Sequence, residues 1–207
     1  QVLRRLGELH LSLGDALAAL AALRRLPPHD LSADAGLLRQ LARAARAAQD
    51  ADAEHDALDR LAAATEDPAE RIEARRQLAL LTARQIGDLQ AAVLAWERVL
   101  ALDPLDAEAN ESIASIHQTT GNHTALYQQL RAAVAHHRAA LVRQPRSVPL
   151  HRQLADLLRR QHRFDAAYCT CVALGELTTL DLEEVAFIER HLRHCNLPSA
   201  TELAAED

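Results

Sequence analysis

The sequence predicts an all-α fold, a solenoid of about five stacked helical hairpins with a further helix at its C-terminal end. Three observations carry this. Hydrophobic residues make up 49% of the chain, mostly Leu and Ala, while aromatics are 2%, so the core is built from closely spaced helices, and the scarcity of Gly, Pro and β-branched residues leaves helix the natural state. Turn signals recur at Gly14-Asp15, Asp52, Gly87-Asp88, Gly121-Asn122 and His162-Arg163, at intervals of 38, 35, 34 and 41 residues, close to a period of about 34. Short proline joints separate the units: Pro27-Pro28-His29-Asp30, Glu66-Asp67-Pro68, Asp103-Pro104-Leu105-Asp106 and Gln144-Pro145-Arg146-Ser147. At each joint Pro ends one helix, and Ser32 or an Asp is placed to cap the next.

The units fall at about 1–30, 34–66, 69–104, 107–140 and 148–178, with terminal or capping helices over 181–207. In the first, Val2 to His10 already has helical periodicity, Gly14-Asp15 turns the chain, and Ala19 and Leu23 follow before Pro27-Pro28. The second is Ala-rich, with Ala44, Ala45, Ala57 and Leu61 as its register. The third is the clearest: Ala79, Gly87, Ala92, Trp96, Val99 and Pro104. Ala92 is small because two helices cross closely there, and Trp96 fills the space between neighbouring hairpins. The fourth supplies Ile113, Ala114, Gly121, Leu126, Leu130 and Ala133, with Leu126 where the small residue belongs, which predicts a wider crossing. The fifth supplies Leu154, Ala155, Leu158, Ala167, Cys171 and Leu174, with His162 in place of Gly and no closing Pro. Beyond Leu177, a helix is expected over 182–195 and another beginning at Ser199.

This pattern resembles the tetratricopeptide repeat (TPR) family, over about four fifths of the chain and most densely from Arg71 to Pro104. The resemblance implies a right-handed α-solenoid that presents the first helix of each hairpin along a concave groove, where a protein or peptide partner binds. The groove residues it implies are Gln77, Leu81, Arg84 and Gln85, then Glu111, Ser115 and Gln118, then Arg152, Asp156, Arg159 and Arg160. Spacings of three and four put each set on one helical stripe. Clamping of a terminal carboxylate by Lys and Asn, known in the family, is not expected: the chain has no Lys, and Ser112 and Gln153 are poor stand-ins for Asn. Arg152, Arg159, Arg160 and Arg163, with His151 and His162, instead form a basic end on the fifth unit. Arg forks pair well with carboxylates, so an acidic segment is the expected partner.

Composition excludes several other functions. Net charge is −6, which argues against a nucleic-acid surface. Apolar runs such as Leu17 to Leu23 are too short to cross a bilayer, so no membrane insertion of this segment is expected. Three Cys are too few for a disulfide framework, and a reducing, cytoplasmic setting fits best. Absence of Lys fits the codon bias of a GC-rich bacterial genome, and a chain without Met reads as a piece of a larger protein. Cys169 and Cys171 with His191, His194 and Cys195 suggest zinc, but on a helix Cys169 and Cys171 point about 200° apart and cannot share one ion. No metal or cofactor is expected. No phosphate-binding, dinucleotide-binding, metalloprotease or nucleophile-elbow motif occurs, and no His stands beside a nucleophile, so no catalysis is expected. The expected function is a protein–protein interaction scaffold. The alternatives are a regulatory or sensor arm of a multidomain enzyme and a structural spacer or self-assembly module, with oligomeric state left open.

Overall fold

The computed structural model describes residues 2–27, 34–86 and 88–195, with the backbone alone at 85, 86 and 193–195. Over these residues the chain is all α, with 11 α-helices and no strand. They are α1 Val2–Ser12, α2 Ala16–Arg24, α3 Ala35–Ala47, α4 Ala51–Ala64, α5 Pro68–Leu81, α6 Leu89–Leu102, α7 Ala107–Thr119, α8 His123–Arg143, α9 Val148–Arg160, α10 Phe164–Gly175 and α11 Leu182–Cys195. The helix over 182–195 thus stands where the sequence places it. Ser32 and Ser199 lie outside the described residues. Two compact units divide the chain, residues 1–116 and 117–207.

One local device makes four of the hairpin turns. Gly14, Gln49, Gly121 and His162 adopt φ of 78°, 57°, 69° and 57°, the left-handed region in which a helix ends most readily. In each case the next amide reaches back five residues to a carbonyl of the ending helix: Asp15 to His10 at 2.9 Å, Asp50 to Ala45 at 3.0 Å, Asn122 to His117 at 2.9 Å and Arg163 to Leu158 at 2.9 Å. The side chain that follows then caps the second helix, Asp15 accepting from Ala18 N–H, Asp50 from Ala53 N–H and Asn122 from Ala125 N–H. Arg163 makes no side-chain cap bond.

The second turn therefore lies at Gln49-Asp50 and not at Asp52, which falls in the first turn of α4. Asp52 and Asp50 are both acidic residues at a helix start, and only the left-handed residue distinguishes the cap from the first turn. The correction moves the unit's register by three residues. Five residues after the turn stands Glu54, 5% exposed, and nine after it Leu58, 1% exposed; Leu61, the expected large residue, is buried in a separate cluster with Leu38, Ala62 and Ala74. Glu54 takes the place of the small residue because Arg46 Nε donates to its Oε1 at 2.6 Å.

With that register, Gly7, Ala42, Ala79, Ala114 and Ala155 are the small buried residues of the first helices. Their partners on the second helices, Ala19, Glu54, Leu126 and Ala167, come 12 residues later, but Ala92 comes 13 after Ala79. The extra residue is absorbed by the π-helical turn Thr82–Ile86 that continues α5, where Thr82 Oγ1 donates to Leu78 O at 2.8 Å.

In the unit of residues 1–116, Leu20, Leu23, Leu37, Leu41, Leu58 and Leu78 are joined by Ala19, Ala44, Ala45 and Ala57 in one cluster, and Trp96, Val99, Ala79, Ala109 and Ile113 form another. Gly7 makes room: a Cβ there would stand 2.7 Å from Leu23 Cδ2. In the unit of residues 117–207 the core is Leu130, Val134, Leu154, Leu157, Leu158 and Ala167, with Leu126 and Phe187 partly buried against it. Buried Cys171 packs as a large apolar residue, and burial pushes its thiol pKa up, opposed by the charge of Arg159.

Candidate functional site

Within each unit the polar faces of the first helices carry rungs from one to the next. Arg4 donates to Asp34 at 2.7 Å and Gln40 to Glu8 at 2.7 Å. Arg39 Nε lies 2.6 Å from Glu70 Oε1, and Arg46 donates to Gln77 Oε1 at 2.9 Å. Arg76 Nε donates to Asp106 at 2.6 Å. In the other unit Arg152 Nε donates to Glu184 at 2.9 Å. The partners are 30 to 32 residues apart in sequence, so each rung joins equivalent faces one repeat along. Asp34 and Asp106 are also helix caps, accepting from Leu37 N–H and Ala109 N–H. Glu184 completes a reciprocal cap on α11: its Oε2 accepts from Asp181 N–H and its own N–H donates to Asp181 Oδ1, both at 2.8 Å. The hydrogen bonds to Asp106 and Glu184 raise the pKa values of Arg76 and Arg152 above the ordinary guanidinium value.

The ladder engages several of the groove residues implied by the resemblance. Gln77 accepts from Arg46 and donates to Glu73 at 2.8 Å. Leu81 is buried at 8% exposure and presents little surface to a partner. Arg152 is held by Glu184, Asp156 by Arg160 at 2.8 Å, and Arg159 turns towards α11. Arg84, Glu111, Ser115 and Gln118 are exposed, while the side chain of Gln85 lies outside the described residues. Two of the four arginines of the basic end, Arg152 and Arg160, are thus paired within their own unit.

What the same unit does contain is an open cleft of about 720 Å³ where the last turn of α9 and the first turn of α10 meet α11. Arg159, Phe164, Asp165, Glu183, Phe187, Arg190 and His191 line it. His191 is stacked near-parallel between Tyr168, with centroids 4.9 Å apart, and Phe187, 6.1 Å away. His191 Nε2 lies 3.2 Å from Asp165 Oδ1. The Arg159 guanidinium lies over Phe187, 5.5 Å from the ring centroid. Its Nε is buried with no hydrogen-bond acceptor, and its nearest carboxylate, Asp156, stands 3.9 Å from the guanidinium and is already engaged by Arg160. Phe164 is 45% exposed and meets His162 edge to face at 5.7 Å.

Sequence reasoning reaches Arg159 and misses the rest. The chain has one Trp, two Tyr and two Phe; of these five, Phe164 and Phe187 line the cleft and Tyr168 stacks on its His191. Their grouping within 24 residues of an aromatic-poor chain is the signal that marks it.

Cys169 is exposed and Cys171 buried on α10, so their side chains diverge; the side chains of His194 and Cys195 lie outside the described residues. Among the described residues no group of three or more His, Cys, Asp and Glu is arranged to hold a metal ion, and no helix is long and apolar enough to cross a membrane.

No family model matches the chain, and no curated protein matches it. Among solved structures the chain is similar to a crystal structure of MamA, at 16% identity over 95% of each chain with a TM-score of 0.49. It is also similar to the MamA RS-1 ArsTM double mutant, at 18% identity over 85% of this chain and 92% of that one with a TM-score of 0.47. MamA 41-end from Desulfovibrio magneticus RS-1 matches at 18% identity over 85% of this chain and 93% of that one, with a TM-score of 0.46.

Proposed function

We propose that the chain is a protein-interaction module of tetratricopeptide type that docks a partner segment in the cleft between α9, α10 and α11. The observation that supports this reading is the cleft itself: in a chain almost devoid of aromatics, two of the five line it and a third, Tyr168, stacks on its His191, beside the guanidinium of Arg159. A concave surface with an apolar floor and a few converging polar groups suits a ligand better than the flat, internally paired faces along the ladder. Interfaces are anchored by Tyr, Trp and Arg more than by other residues, and their partners tend to supply the same types. The test is affinity capture of a partner by the full chain, repeated with Phe164→Ala and with Arg84→Ala. Loss of at least tenfold in affinity on Phe164→Ala, with Arg84→Ala unchanged, supports the cleft. The opposite pattern returns the binding site to the first-helix groove.

A second reading, association through α1, is favoured by one feature. Val2, Leu6 and Leu9 form a single exposed stripe along α1, 81%, 41% and 56% exposed, extended by Leu13 in the turn after it and Leu17 at the start of α2. Light scattering over a concentration range, with Leu9→Glu as the comparison, decides it: a mass that rises with concentration and falls back in the variant supports association through α1, and a constant mass refutes it.

A further inference from the structure

The chemistry of the cleft selects among possible partner segments. The Arg159 guanidinium carbon lies 5.5 Å from the centroid of the Phe187 ring, and the side chain lines the cleft. Its Nε is buried from solvent, so the terminal Nη groups are what it offers a ligand. The two terminal Nη groups form a planar fork that matches the two oxygens of a carboxylate. Beside this fork lies the half-exposed ring of Phe164 and the edge of the Tyr168–His191–Phe187 stack. A second ring packs on such a platform edge-on or offset.

The charges that face the cleft limit how acidic the ligand can be. Arg159 and Arg190 are cationic, Asp165 and Glu183 are anionic, and His191 is directed to Asp165. A run of carboxylates would set some of them against Asp165, whose side chain is 95% exposed, and against exposed Glu183. Two rim carboxylates are thus a repulsive element against polyanions, and the broadly acidic segment expected from the arginines of α9 fits less well than a ligand with one carboxylate.

On this basis, and resting on the interaction-module reading above, we infer that the cleft recognises a peptide segment in which one Asp or Glu stands about one helical turn from a Phe, Tyr or Trp. The carboxylate takes the terminal Nη donors of Arg159, and the ring lies on Phe164 and Phe187. The volume of about 720 Å³ holds a few side chains, which matches a short motif and not a folded domain.

The probe is a random twelve-residue peptide library displayed on phage and selected against the full chain, followed by fluorescence anisotropy of the recovered peptides made synthetically. The expected result is enrichment of an acidic residue three or four positions from an aromatic one. Affinity then falls at least tenfold on Arg159→Gln and on Phe164→Ala. Arg159→Lys, which keeps the charge and loses the fork, falls similarly. Far-UV circular dichroism of each variant confirms the fold, and Phe164, being half-exposed, gives a test independent of any packing role of Arg159. Peptides that lose affinity on Phe164→Ala but bind Arg159→Gln as well as the wild type overturn the carboxylate inference and leave the interaction reading standing. Peptides indifferent to both substitutions overturn the cleft as a docking site.

Discussion

Removing the carboxylate of Asp106 tests the ladder where it is most deeply buried. Its side chain is fully buried, receives Arg76 Nε at 2.6 Å and Ala109 N–H at 2.8 Å, and so holds one repeat to the next while capping α7. Asp106→Ala removes the cap, at about 1 kcal/mol. It also removes a charge-assisted hydrogen bond, which contributes about 1.5–3 kcal/mol. Breaking a fully buried pair costs about 3–5 kcal/mol, but Arg76 keeps 32% of its side chain in solvent and can be rehydrated, so the lower range applies. The expected loss is about 3 kcal/mol. Asp106→Asn keeps an oxygen for Ala109 N–H and a neutral contact to Arg76, and is expected to lose about half as much. Trp96, the single tryptophan, lies in the cluster with Ala109 and Ile113 at the start of α7, so its fluorescence in a urea titration reports on this joint. A loss under about 1 kcal/mol for the Ala variant, or an Asn variant as stable as the wild type, refutes a structural role for the charge.

Three further outcomes are expected. Trp96→Ala, at 1% exposure and surrounded by Ala79, Val99, Ala109 and Ile113, costs about 3–5 kcal/mol in thermal or urea unfolding followed by circular dichroism, and an unchanged midpoint contradicts its place between hairpins. Iodoacetamide at about pH 8 labels exposed Cys169 and spares Cys171, whose burial raises its pKa and hides its sulfur; fragment-ion mass spectrometry reads the two sites, and equal labelling contradicts the packing of α10. The carboxyl of Asp50 is held below the usual carboxylate range chiefly by Ala53 N–H, with Arg24 assisting against the cost of burial. Its contribution to stability is therefore present above the ordinary carboxylate pKa of about 3.9 and is lost as pH falls through the lower, folded value. Asp50→Asn flattens that part of the acid limb in urea midpoints measured between about pH 2 and 5, whereas parallel curves for variant and wild type refute the cap.

The hairpin architecture was legible because it is written in local chemistry. Pro68, Asp67, Gly14 and Gly121 act within a few residues of themselves, and the small buried residues recur at a constant distance from each turn. The register failed at Asp52 because Gln49 adopts a left-handed conformation that its side chain does not advertise. The π turn was hidden for a similar reason, since it shows only as a spacing of 13 where the other units have 12. The ladder was illegible from composition: among 23 basic and 29 acidic residues, many pairs stand 30 to 32 apart, and only the fold decides which face each other. It also gives the arginines a use that lysine would fill poorly, because rungs such as Arg46, which donates to both Glu54 and Gln77, need a fork. The cleft was half legible. Arg159 was reached through charge, while Phe187 and His191 come from the helix beyond the last recognisable repeat.

Amide hydrogen exchange of the full chain with and without a bound partner tests the central claim most directly, because it maps the contact without altering a residue. The account predicts slowed exchange confined to 159–168 and 183–191, around the cleft, with the first-helix faces at 77–84 and 111–118 unchanged. Protection of 77–84 and 111–118 with none around the cleft would contradict it.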